Sequence, residues 1–342
     1  MATRRLLIFP CELGLSDGYS IAATADAARL APGPEDVVVC RTHAPTSAAG
    51  PVRTLGMPTA REKAWNILRG RAPYEVSVEA MKACLAGIDG GFDDIFAGEI
   101  FFYPALRRLF PQARIRVRSH NFFSLARARQ LLTRPPSSFR HDVNMRLHSP
   151  LEGEVLRDKR ATLILITEEE LAFAKLLFPL MRGECWPVVA PDLEASPVIR
   201  PPSAPRLVFL GSAGASHTAV GLEMTCRQVV PALRARVPAA EFHLFGRGSE
   251  SYDAPDRGIH GHGRFPGDGL PFDGDGLFCV PDIHGCGIKL KVADLLKAAV
   301  PFISTPLGMS GYRIPAHPHI LVEELPDWPE ALYRYFQQWN LG

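Results

Sequence analysis

Short apolar runs alternate with longer segments of helical periodicity along almost the whole chain of 342 residues. Runs of about four to seven apolar residues have the length of buried strands, and the segments between them are long enough for helices. This alternation is typical of parallel sheets that are covered by helices. The predicted strands form two series, residues 5–9, 36–40, 94–98, 114–118 and 162–166, followed by 206–211, 242–246, 276–280, 302–305 and 320–324.

A proline-rich segment, residues 187–205, separates the two series of strands. Such a composition is typical of a stiff, extended linker. The chain is also long enough for two domains of ordinary size. The sequence therefore predicts an α/β fold with two Rossmann-like, doubly wound domains that face a cleft. We place these domains at residues 1–186 and 206–325, with a C-terminal helix in residues 326–342.

The cysteine pattern and the absence of long apolar stretches indicate a cellular compartment. Seven cysteines are scattered along the chain without a C-x-x-C pair, which favours free thiols in a reducing environment. No apolar stretch has the length of a membrane span, and the first residues lack the apolar core of a signal peptide. We therefore expect a cytoplasmic protein, and peripheral association with the inner face of the cell membrane stays open.

The stretch HGCGIKLK, residues 284–291, leads into a segment with helical periodicity. Gly285 and Gly287 allow the backbone to approach a ligand closely, and the first amides of the helix would point out of its end. An anion is favoured at such a helix terminus, whereas a cation is disfavoured there. Lys289 and Lys291 at this position therefore predict a bound anion such as a diphosphate, and two solvated lysines are the alternative.

The same region carries a spaced motif, P-x-x-x-G-x-G-I-K-x-K-V-x-(acid)-x-x-x-A-x-V-P-x-x-x-T-P-x-G-x-x-G. It resembles the donor-site signature of GT-B glycosyltransferases of the large family-four group (glycosyl transferases group 1). The matching residues are Pro281, Gly285, Gly287, Ile288, Lys289, Lys291, Val292, Asp294, Ala298, Val300, Pro301, Thr305, Pro306, Gly308 and Gly311. The segments RLVFLGS, which ends at Ser212, and RVRSHN, which contains His120, fit the same resemblance.

The resemblance implies an enzyme of the hexosyltransferase type that acts in polysaccharide biosynthesis. It would transfer a sugar from a nucleotide-diphosphate sugar to a glycan, polysaccharide or lipid-linked acceptor without a metal. The first domain would bind the acceptor, and the second would bind the donor. The implied catalytic residues are His120 and Lys289, and the implied donor-binding residues are Gly211, Ser212, Gly287, Ile288, Lys289, Lys291, Asp294 and Gly308. No cofactor besides the donor and no nucleic acid is expected.

Two departures from the family pattern bear on these residues. Cys286 and Asp294 stand where many members carry a pair of glutamates, so the ribose contact of Asp294 would be made with a shorter side chain. The loop after the first strand lacks the usual double glycine. There Asp17, with Gly14 and Gly18, is a candidate acceptor-side base, and a plain turn is the alternative. His120 positions the sugar, acts as a base or simply packs in a loop.

Residues 103–150 contain ten arginines, no lysine and one acidic residue, Asp142. Three of these arginines alternate along one strand, so Arg114, Arg116 and Arg118 lie on one face. With the apolar residues Phe122, Phe123, Leu125, Leu131 and Leu132 nearby, this window predicts contact with an anionic membrane surface or with a phosphate-bearing, lipid-linked acceptor. Arg116 and Arg118 are the candidate residues, and a set of solvated arginines is the alternative.

The sequence also contains features that could indicate a metal site or another class of enzyme. The pairs His260/His262 and His317/His319 have no cysteine or carboxylate at a standard ligand spacing, and Asp273-Gly274-Asp275 precedes a strand instead of following one, so we predict no metal site. The P-loop, the nicotinamide-binding loop and the hydrolase motif G-x-S-x-G are missing. A nucleotide-sugar epimerase or phosphorylase on the same fold, and a non-catalytic binding subunit, remain as alternatives.

Overall fold

The protein is described by a computed structural model. It describes residues 4–11, 13, 18–42, 52–88, 90–133, 139–188, 199–214, 216–266, 269–313 and 316–341. The chain forms two compact units. Unit 1 comprises Met1–Ala128 and Ser138–Val188, and unit 2 comprises Arg129–Ser137 and Val189–Gly342. Unit 2 therefore includes a short segment that the sequence assigned to the first domain.

Unit 1 is built on a parallel sheet. Its strands in the described residues are β1 (Arg5–Phe9), β2 (Val37–Thr42), β3 (Val52–Gly56), β4 (Asp94–Ala97), β5 (Arg114–Arg118), β6 (Ala161–Leu165) and β7 (Gly183–Cys185). They lie in the order β3-β2-β1-β4-β5-β6-β7, and each neighbouring pair is parallel. The chain fills one side of β1 first and then continues on the other side from β4. This reversal is the topological switch point of a doubly wound sheet.

Unit 2 repeats this plan with fewer strands. Those in the described residues are β8 (Arg206–Leu210), β9 (Glu241–Phe245), β10 (Ile259–Gly261), β11 (Leu277–Val280), β12 (Phe302–Ser304) and β13 (Ile320–Val322). Their order is β10-β9-β8-β11-β12-β13, with all pairs parallel. The switch point therefore lies between β8 and β11.

Helices cover both faces of each sheet. In the described residues they are α1 (Gly18–Leu30), α2 (Ala60–Leu68), α3 (Val78–Cys84), α4 (Tyr103–Leu109), α5 (Phe123–Thr133), α6 (Phe139–Arg157), α7 (Glu168–Leu177), α8 (Ser216–Met224), α9 (Val230–Arg234), α10 (Leu290–Lys297) and α11 (Trp328–Gln338). A π-helical turn, Thr225–Val229, joins α8 to α9. None of the helices in the described ranges has both the length and the apolar character of a membrane span.

Each sheet has an apolar cluster on each of its two faces, because its strands are buried on both sides. The C-terminal helix α11 belongs to one of the clusters of unit 2. Its Trp328 and Phe336 are fully buried there with Leu207 and Phe209 of β8. The helix predicted at residues 326–342 therefore contributes core side chains to unit 2.

The predicted α/β fold with two Rossmann-like sheets is confirmed. All ten predicted strands form, with ends that differ by at most two residues. The short strands β3, β7 and β10 were not predicted, and each lies at the edge of its sheet. An edge strand buries fewer side chains than a central one, so it needs no continuous apolar run in the sequence. Half of the predicted linker, residues 189–198, lies outside the described residues.

Candidate functional site

The carboxyl edge of the sheet in unit 2 gathers most of the predicted donor-binding residues. Because β8 and β11 are neighbours whose chains continue in opposite directions across the sheet, the loops that follow them diverge and leave a crevice. Residues 211–214 follow β8, residues 281–289 follow β11, and residues 305–313 follow β12. The candidate site is the crevice formed by these three loops, and we refer to it as the unit 2 crevice.

Glycines bring backbone segments unusually close around this crevice. A Cβ atom at Gly221 in α8 would lie 1.6 Å from the carbonyl oxygen of Pro281, directly after β11. A Cβ atom at Gly308 would lie 2.3 Å from Oγ of Ser304, at the end of β12. The contact at Gly221 is with backbone, so only glycine fits there, whereas a side chain at position 308 would require Ser304 to move. Gly308 was predicted for the donor site, and its local role is to let the loop after β12 fold back onto the strand.

The loop after β11 ends at the lysine that begins α10. Lys289 is the N-cap residue of α10, with φ −101° and ψ 101°, and its side chain makes no capping hydrogen bond. It is buried, and its Nζ donates a hydrogen bond to the carbonyl oxygen of Cys286 at 3.0 Å. Gly285 and Gly287 in the same loop have φ values of +106° and +68°. The alternative of two solvated lysines is therefore wrong for Lys289.

Lys291 lies in the first turn of α10 and is held by an ion pair. Its Nζ is 2.9 Å from Oδ2 of Asp282, which is fully buried, and 5.1 Å from the ring centroid of Phe209. Oδ1 of Asp282 accepts a hydrogen bond from Oγ1 of Thr218 at 3.1 Å. Sequence reasoning missed Asp282. The signal that could have found it is its place at the carboxyl end of a buried strand, one residue after Pro281.

Thr305 connects the loops that follow β11 and β12. Its Oγ1 donates a hydrogen bond to the carbonyl oxygen of Asp282 and accepts one from the amide of Gly308 at 3.0 Å. The hydroxyl of Tyr312 donates to the carbonyl oxygen of Lys289 at 3.0 Å. These bonds fix the positions of both loops relative to the first turn of α10. Hydrogen bonds within the protein therefore hold the loops of the crevice in place.

The other predicted donor residues occupy different environments. Ser212 follows β8, and its Oγ is buried without a hydrogen-bond partner in the described part of the chain. Such a hydroxyl normally finds a partner, so it is a candidate contact for a ligand. Gly211 precedes it with φ +151°, and Ile288 is half-buried beside Lys289. Asp294 is exposed on α10, whereas its neighbours Ala293 and Leu295 are buried.

In unit 1, His120 lies just after β5 and is buried. Its Nε2 is 3.1 Å from the carbonyl oxygen of Gly98, and because a carbonyl only accepts, Nε2 carries the hydrogen. Burial and the nearby Arg118 guanidinium lower the pKa of His120 to about 3. Its Nε2 is 3.8 Å from Oε2 of Glu99, whose pKa burial raises to about 8. His120 is therefore a neutral imidazole at pH 7.

Arg118 does not have the exposure that its predicted membrane contact requires. Its side chain is fully buried, and its Nε is 3.2 Å from Oδ2 of Asp26. Burial lowers the pKa of Arg118, while burial raises the pKa of Asp26 to about 6. The strand β5 passes from exposed at Arg114 to fully buried at Arg118, because its carboxyl end enters the interior of unit 1. The predicted contact of Arg118 with a membrane surface is therefore wrong.

Arg116 points toward the opposite edge of the same sheet. Its Nη2 is 3.0 Å from Oδ2 of Asp94, at the amino end of β4. It lines a groove of about 750 Å³ together with Arg5, Arg114 and Arg160. The structure therefore does not bring Arg116 together with His120, which follows the carboxyl end of β5.

The rest of the arginine-rich segment, residues 103–150, also differs from the prediction. Arg107 pairs with Asp158 from outside the window, with its Nε 2.6 Å from Oδ2, so the local charge is smaller than the sequence count. Phe122 and Leu125 are buried in the core of unit 1, and an apolar membrane contact through them is wrong. Leu131 is exposed. The candidate residues Gly14 and Asp17 lie outside the described residues, and Gly18 begins α1.

Among the described residues, the group that could hold a metal ion is Glu241, His243 and His260. It lies on β9 and β10, and its residues do not belong to the three loops of the unit 2 crevice. Asp273 lies in a short turn, Pro271–Gly274, before β11, and Asp275, which follows this turn, pairs with Arg206 at 3.5 Å.

No protein-family model matches the chain, and no curated protein matches it either. Solved structures do match. Sucrose-phosphate synthase from Thermosynechococcus elongatus matches 98% of this chain and 89% of its own, with a TM-score of 0.61 and 15% identity. WaaG, a glycosyltransferase involved in lipopolysaccharide biosynthesis, matches 98% of this chain and 91% of its own, with a TM-score of 0.53 and 12% identity.

A third match is E. coli trehalose-6-phosphate synthase bound with UDP-2-fluoro glucose. It covers 98% of this chain and 90% of its own, with a TM-score of 0.55 and 11% identity. At identities this low the likeness concerns the fold. The chain has the GT-B fold of these glycosyltransferases, and the predicted fold is confirmed.

Proposed function

We propose that the protein transfers a sugar from a nucleotide-diphosphate sugar to a glycan, polysaccharide or lipid-linked acceptor. The observation that carries this proposal is the lysine at the N-cap of α10. An N-cap residue is usually Ser, Thr, Asp or Asn, whose oxygen accepts from the first amides of the helix. Lys289 makes no such bond with its side chain. The amide of Val292 donates to the carbonyl oxygen of Lys289 at 2.9 Å. An anion at this position would accept from the amides of residues 290 and 291, and it would interact favourably with the helix dipole.

The arrangement of the crevice supports a diphosphate as that anion. Ligands of doubly wound sheets bind at the switch point, which in unit 2 lies beside Gly211, Ser212 and the loop 281–289. Lys291 and Lys289 would add positive charge near the two phosphates, and Gly287 and Ile288 would offer backbone amides. A structural neighbour with bound UDP-2-fluoro glucose has the same fold. Asp294, exposed on α10, is our candidate for the ribose hydroxyls.

Sugar transfer leaves negative charge on the departing nucleoside diphosphate. Amides and ammonium groups that are already in position stabilise such charge without reorganising during the reaction. The hydrogen bonds of Thr305 and Tyr312, together with the ion pair between Lys291 and Asp282, supply this preorganisation. We propose that Lys289 has this catalytic role and that the reaction needs no metal at the diphosphate.

His120 is a poor candidate for the general base that removes the proton of the acceptor. A general base works best when its pKa lies near the working pH, and the pKa of His120 is lowered to about 3. Its Nε2 hydrogen is directed to the carbonyl oxygen of Gly98. We therefore propose that His120 positions the transferred sugar as a neutral hydrogen-bonding group and does not remove the proton of the acceptor hydroxyl.

A thermal-shift screen of nucleoside diphosphates and their sugars tests the donor site. A ligand that binds only the folded protein at 100 times its Kd stabilises it by about 2.7 kcal/mol, which raises the melting temperature. We expect Lys289→Ala, Lys291→Ala and Asp294→Ala each to reduce this shift by more than half. Lys297→Ala, in the last turn of the same helix, is the control and should keep the full shift. Equal shifts in all variants would contradict the site.

Product analysis with the ligand found in the screen then separates the activities. Transfer of the sugar to an acceptor, or slow hydrolysis of the donor without one, supports the proposal. Isomerisation of the sugar indicates the epimerase alternative, and release of a sugar phosphate in the presence of phosphate indicates a phosphorylase. Binding without turnover on any acceptor indicates a non-catalytic subunit.

A further inference from the structure

Two histidines and a glutamate meet on one face of β9 and β10, outside the unit 2 crevice. The parallel pairing of these strands sets His260 directly beside His243. Glu241 lies two residues before His243 on the same strand, so its side chain projects from the same face. Phe245 continues this face and is buried in an apolar cluster of unit 2. The pairing of the two strands therefore places three side chains of the types that bind metals next to one another.

The distances between their donor atoms are short. Oε2 of Glu241 is 3.0 Å from Nε2 of His243, and Oε1 is 3.9 Å from Nε2 of His260. One donor atom from each residue lies within 4.8 Å of the other two. Ligand atoms at about 2.1 Å from a tetrahedral zinc ion are separated by about 3.4 Å. Small side-chain rotations would therefore bring the three groups onto one ion.

A third histidine fixes the orientation of the most buried ligand. Nδ1 of His243 is 3.0 Å from Nε2 of His262, and the two rings are stacked with centroids 5.3 Å apart. Histidines that bind metals usually hydrogen-bond through their other ring nitrogen, which sets the tautomer. His262 supplies this bond to His243. Phe272 packs its ring edge to face against His243 with centroids 4.9 Å apart, which closes one side of the cluster.

The charges around the cluster also suit a cation. Glu241 contributes one carboxylate at the cluster, and its Oε2 accepts a hydrogen bond from Nε2 of His243 at 3.0 Å. The nearest arginine on a neighbouring strand, Arg206, is paired with Asp275. Neutral imidazoles and a carboxylate form the donor set that zinc and related transition-metal ions prefer.

We propose that Glu241, His243 and His260 bind a divalent transition-metal ion, with Zn²⁺ as the reference ion, and that the ion joins the edge strand β10 to β9. Three protein ligands leave a fourth tetrahedral position for water. This inference does not depend on sugar transfer.

Binding requires a change of tautomer in two rings. Without metal, Nε2 of His243 donates to the carboxylate of Glu241, so Nδ1 of His243 accepts from Nε2 of His262. With metal, Nε2 of His243 becomes a ligand, and its hydrogen is carried on Nδ1 and donated to Nε2 of His262. The hydrogen of His262 is then carried on its own Nδ1. The number of protons in the pair is unchanged.

Calorimetric titration of the full, chelator-treated chain with Zn²⁺ tests the proposal. We expect one ion per chain for the wild type. His260→Ala should weaken the affinity by more than about 100-fold, and His262→Ala, which removes the orienting bond and the stacked ring but no ligand, by about 10 to 100-fold. His317→Ala is the matched control, because His317 and His319 also form a close pair, with ring centroids 5.5 Å apart. Its affinity should equal that of the wild type.

Two further measurements keep the result clear if a variant is unstable. Glu241→Gln retains the size and the accepting oxygen of the side chain, so it should fold like the wild type but lose most of the Zn²⁺-dependent rise in melting temperature. Co²⁺ should give the intense visible absorption of a four-coordinate ion in the wild type and not in Glu241→Gln. The proposal is overturned if the wild type binds no Zn²⁺, if Glu241→Gln binds it as tightly, or if His317→Ala loses as much affinity as His260→Ala.

Discussion

At the carboxyl edge of each sheet a cation pairs with a buried aspartate, but the two cations differ in their exposure to water. Around β5 in unit 1, a fully buried arginine, Arg118, pairs with Asp26 and faces an interior of apolar side chains. In unit 2, the corresponding cation is Lys291, which pairs with the buried Asp282 but is itself 23% exposed. A guanidinium without access to water interacts only with its partner inside the protein, whereas a partly exposed lysine can also attract a ligand. The same sheet topology thus supports an internal ion pair in one unit and the proposed binding crevice in the other.

The largest effect is expected for the buried pair of unit 1. Arg118→Ala leaves Asp26 buried without its partner, and we expect the free energy of unfolding to fall by about 3–5 kcal/mol. Arg114→Ala, at the exposed start of the same strand, should change it by less than about 0.5 kcal/mol. Urea denaturation of the two variants measures the difference. If both variants lose only a small and similar part of the free energy of unfolding, the pair of Arg118 and Asp26 stabilises unit 1 no more than an exposed charge does.

Close backbone packing around the crevice gives the next effect. Alanine is favoured over glycine inside a helix by about 1 kcal/mol, so Gly221→Ala would stabilise α8 in an open environment. The Cβ would instead overlap the carbonyl of Pro281, and we expect a loss of about 3 kcal/mol. Gly214→Ala, where no atom lies within 4 Å of the new Cβ, should be nearly neutral. The sign of the change at Gly221, measured by denaturation, decides whether the contact exists.

Lys291→Ala should be less costly than Arg118→Ala. Asp282 keeps the hydrogen bond from Thr218, and solvent reaches the position of the ammonium group, so we expect a loss of about 2 kcal/mol. Lys297→Ala on the exposed side of the same helix should cost less than about 0.5 kcal/mol. If Lys291→Ala is as costly as Arg118→Ala, then the proposed contrast between a ligand-ready cation and a purely internal one is incorrect.

The smallest effect is a pH dependence from Glu99. Its pKa is raised from 4.5 to about 8, so between these values the folded protein holds a proton that the unfolded chain releases. The proton on Glu99 should therefore lower the stability by about 1 kcal/mol from pH 7 to pH 8, and Glu152, whose pKa burial also raises to about 8, should add a similar fall. The lowered pKa of His120 acts in the opposite direction, because it costs stability as the pH falls from 6.5 toward 3.

Glu99→Gln removes the titrating group but keeps a neutral side chain of the same shape. Its stability should change less between pH 7 and pH 8 than that of the wild type, in paired denaturation curves. Glu79→Gln, at an exposed position, is the control and should retain the wild-type dependence. A Glu99→Gln curve with the full wild-type slope would show that the proton is bound elsewhere.

The sequence predicted the fold well because central strands need continuous apolar runs. It also predicted that Gly287 and Lys289 lie in a loop leading into a helix, because the helical periodicity begins directly after them. It did not locate Asp282, because the only signal for this residue is its place after a buried strand and no spaced motif includes it. It misjudged Arg118, because alternation along a strand tells which residues share a face but not whether a helix covers that face.

His243 and His260 show why residue spacing along the chain does not detect every candidate metal site. A metal at His260 was set aside because no cysteine or carboxylate stands at a standard ligand spacing from it in the sequence. The pairing of β9 with β10 brings Glu241 to it, although the two are nineteen residues apart. Ligand sets on parallel strands are separated by whole crossover connections, so short spacing rules do not detect them.

The position of α11 has a practical consequence for dividing the protein. A polypeptide cut after residue 325 would expose the apolar surface that Trp328, Leu332 and Phe336 otherwise cover. Such a fragment of the second half would aggregate or be degraded, even though all its strands are present. Proteolysis should therefore leave the last helix attached to any stable fragment of unit 2, and isolating that unit requires the chain through residue 341.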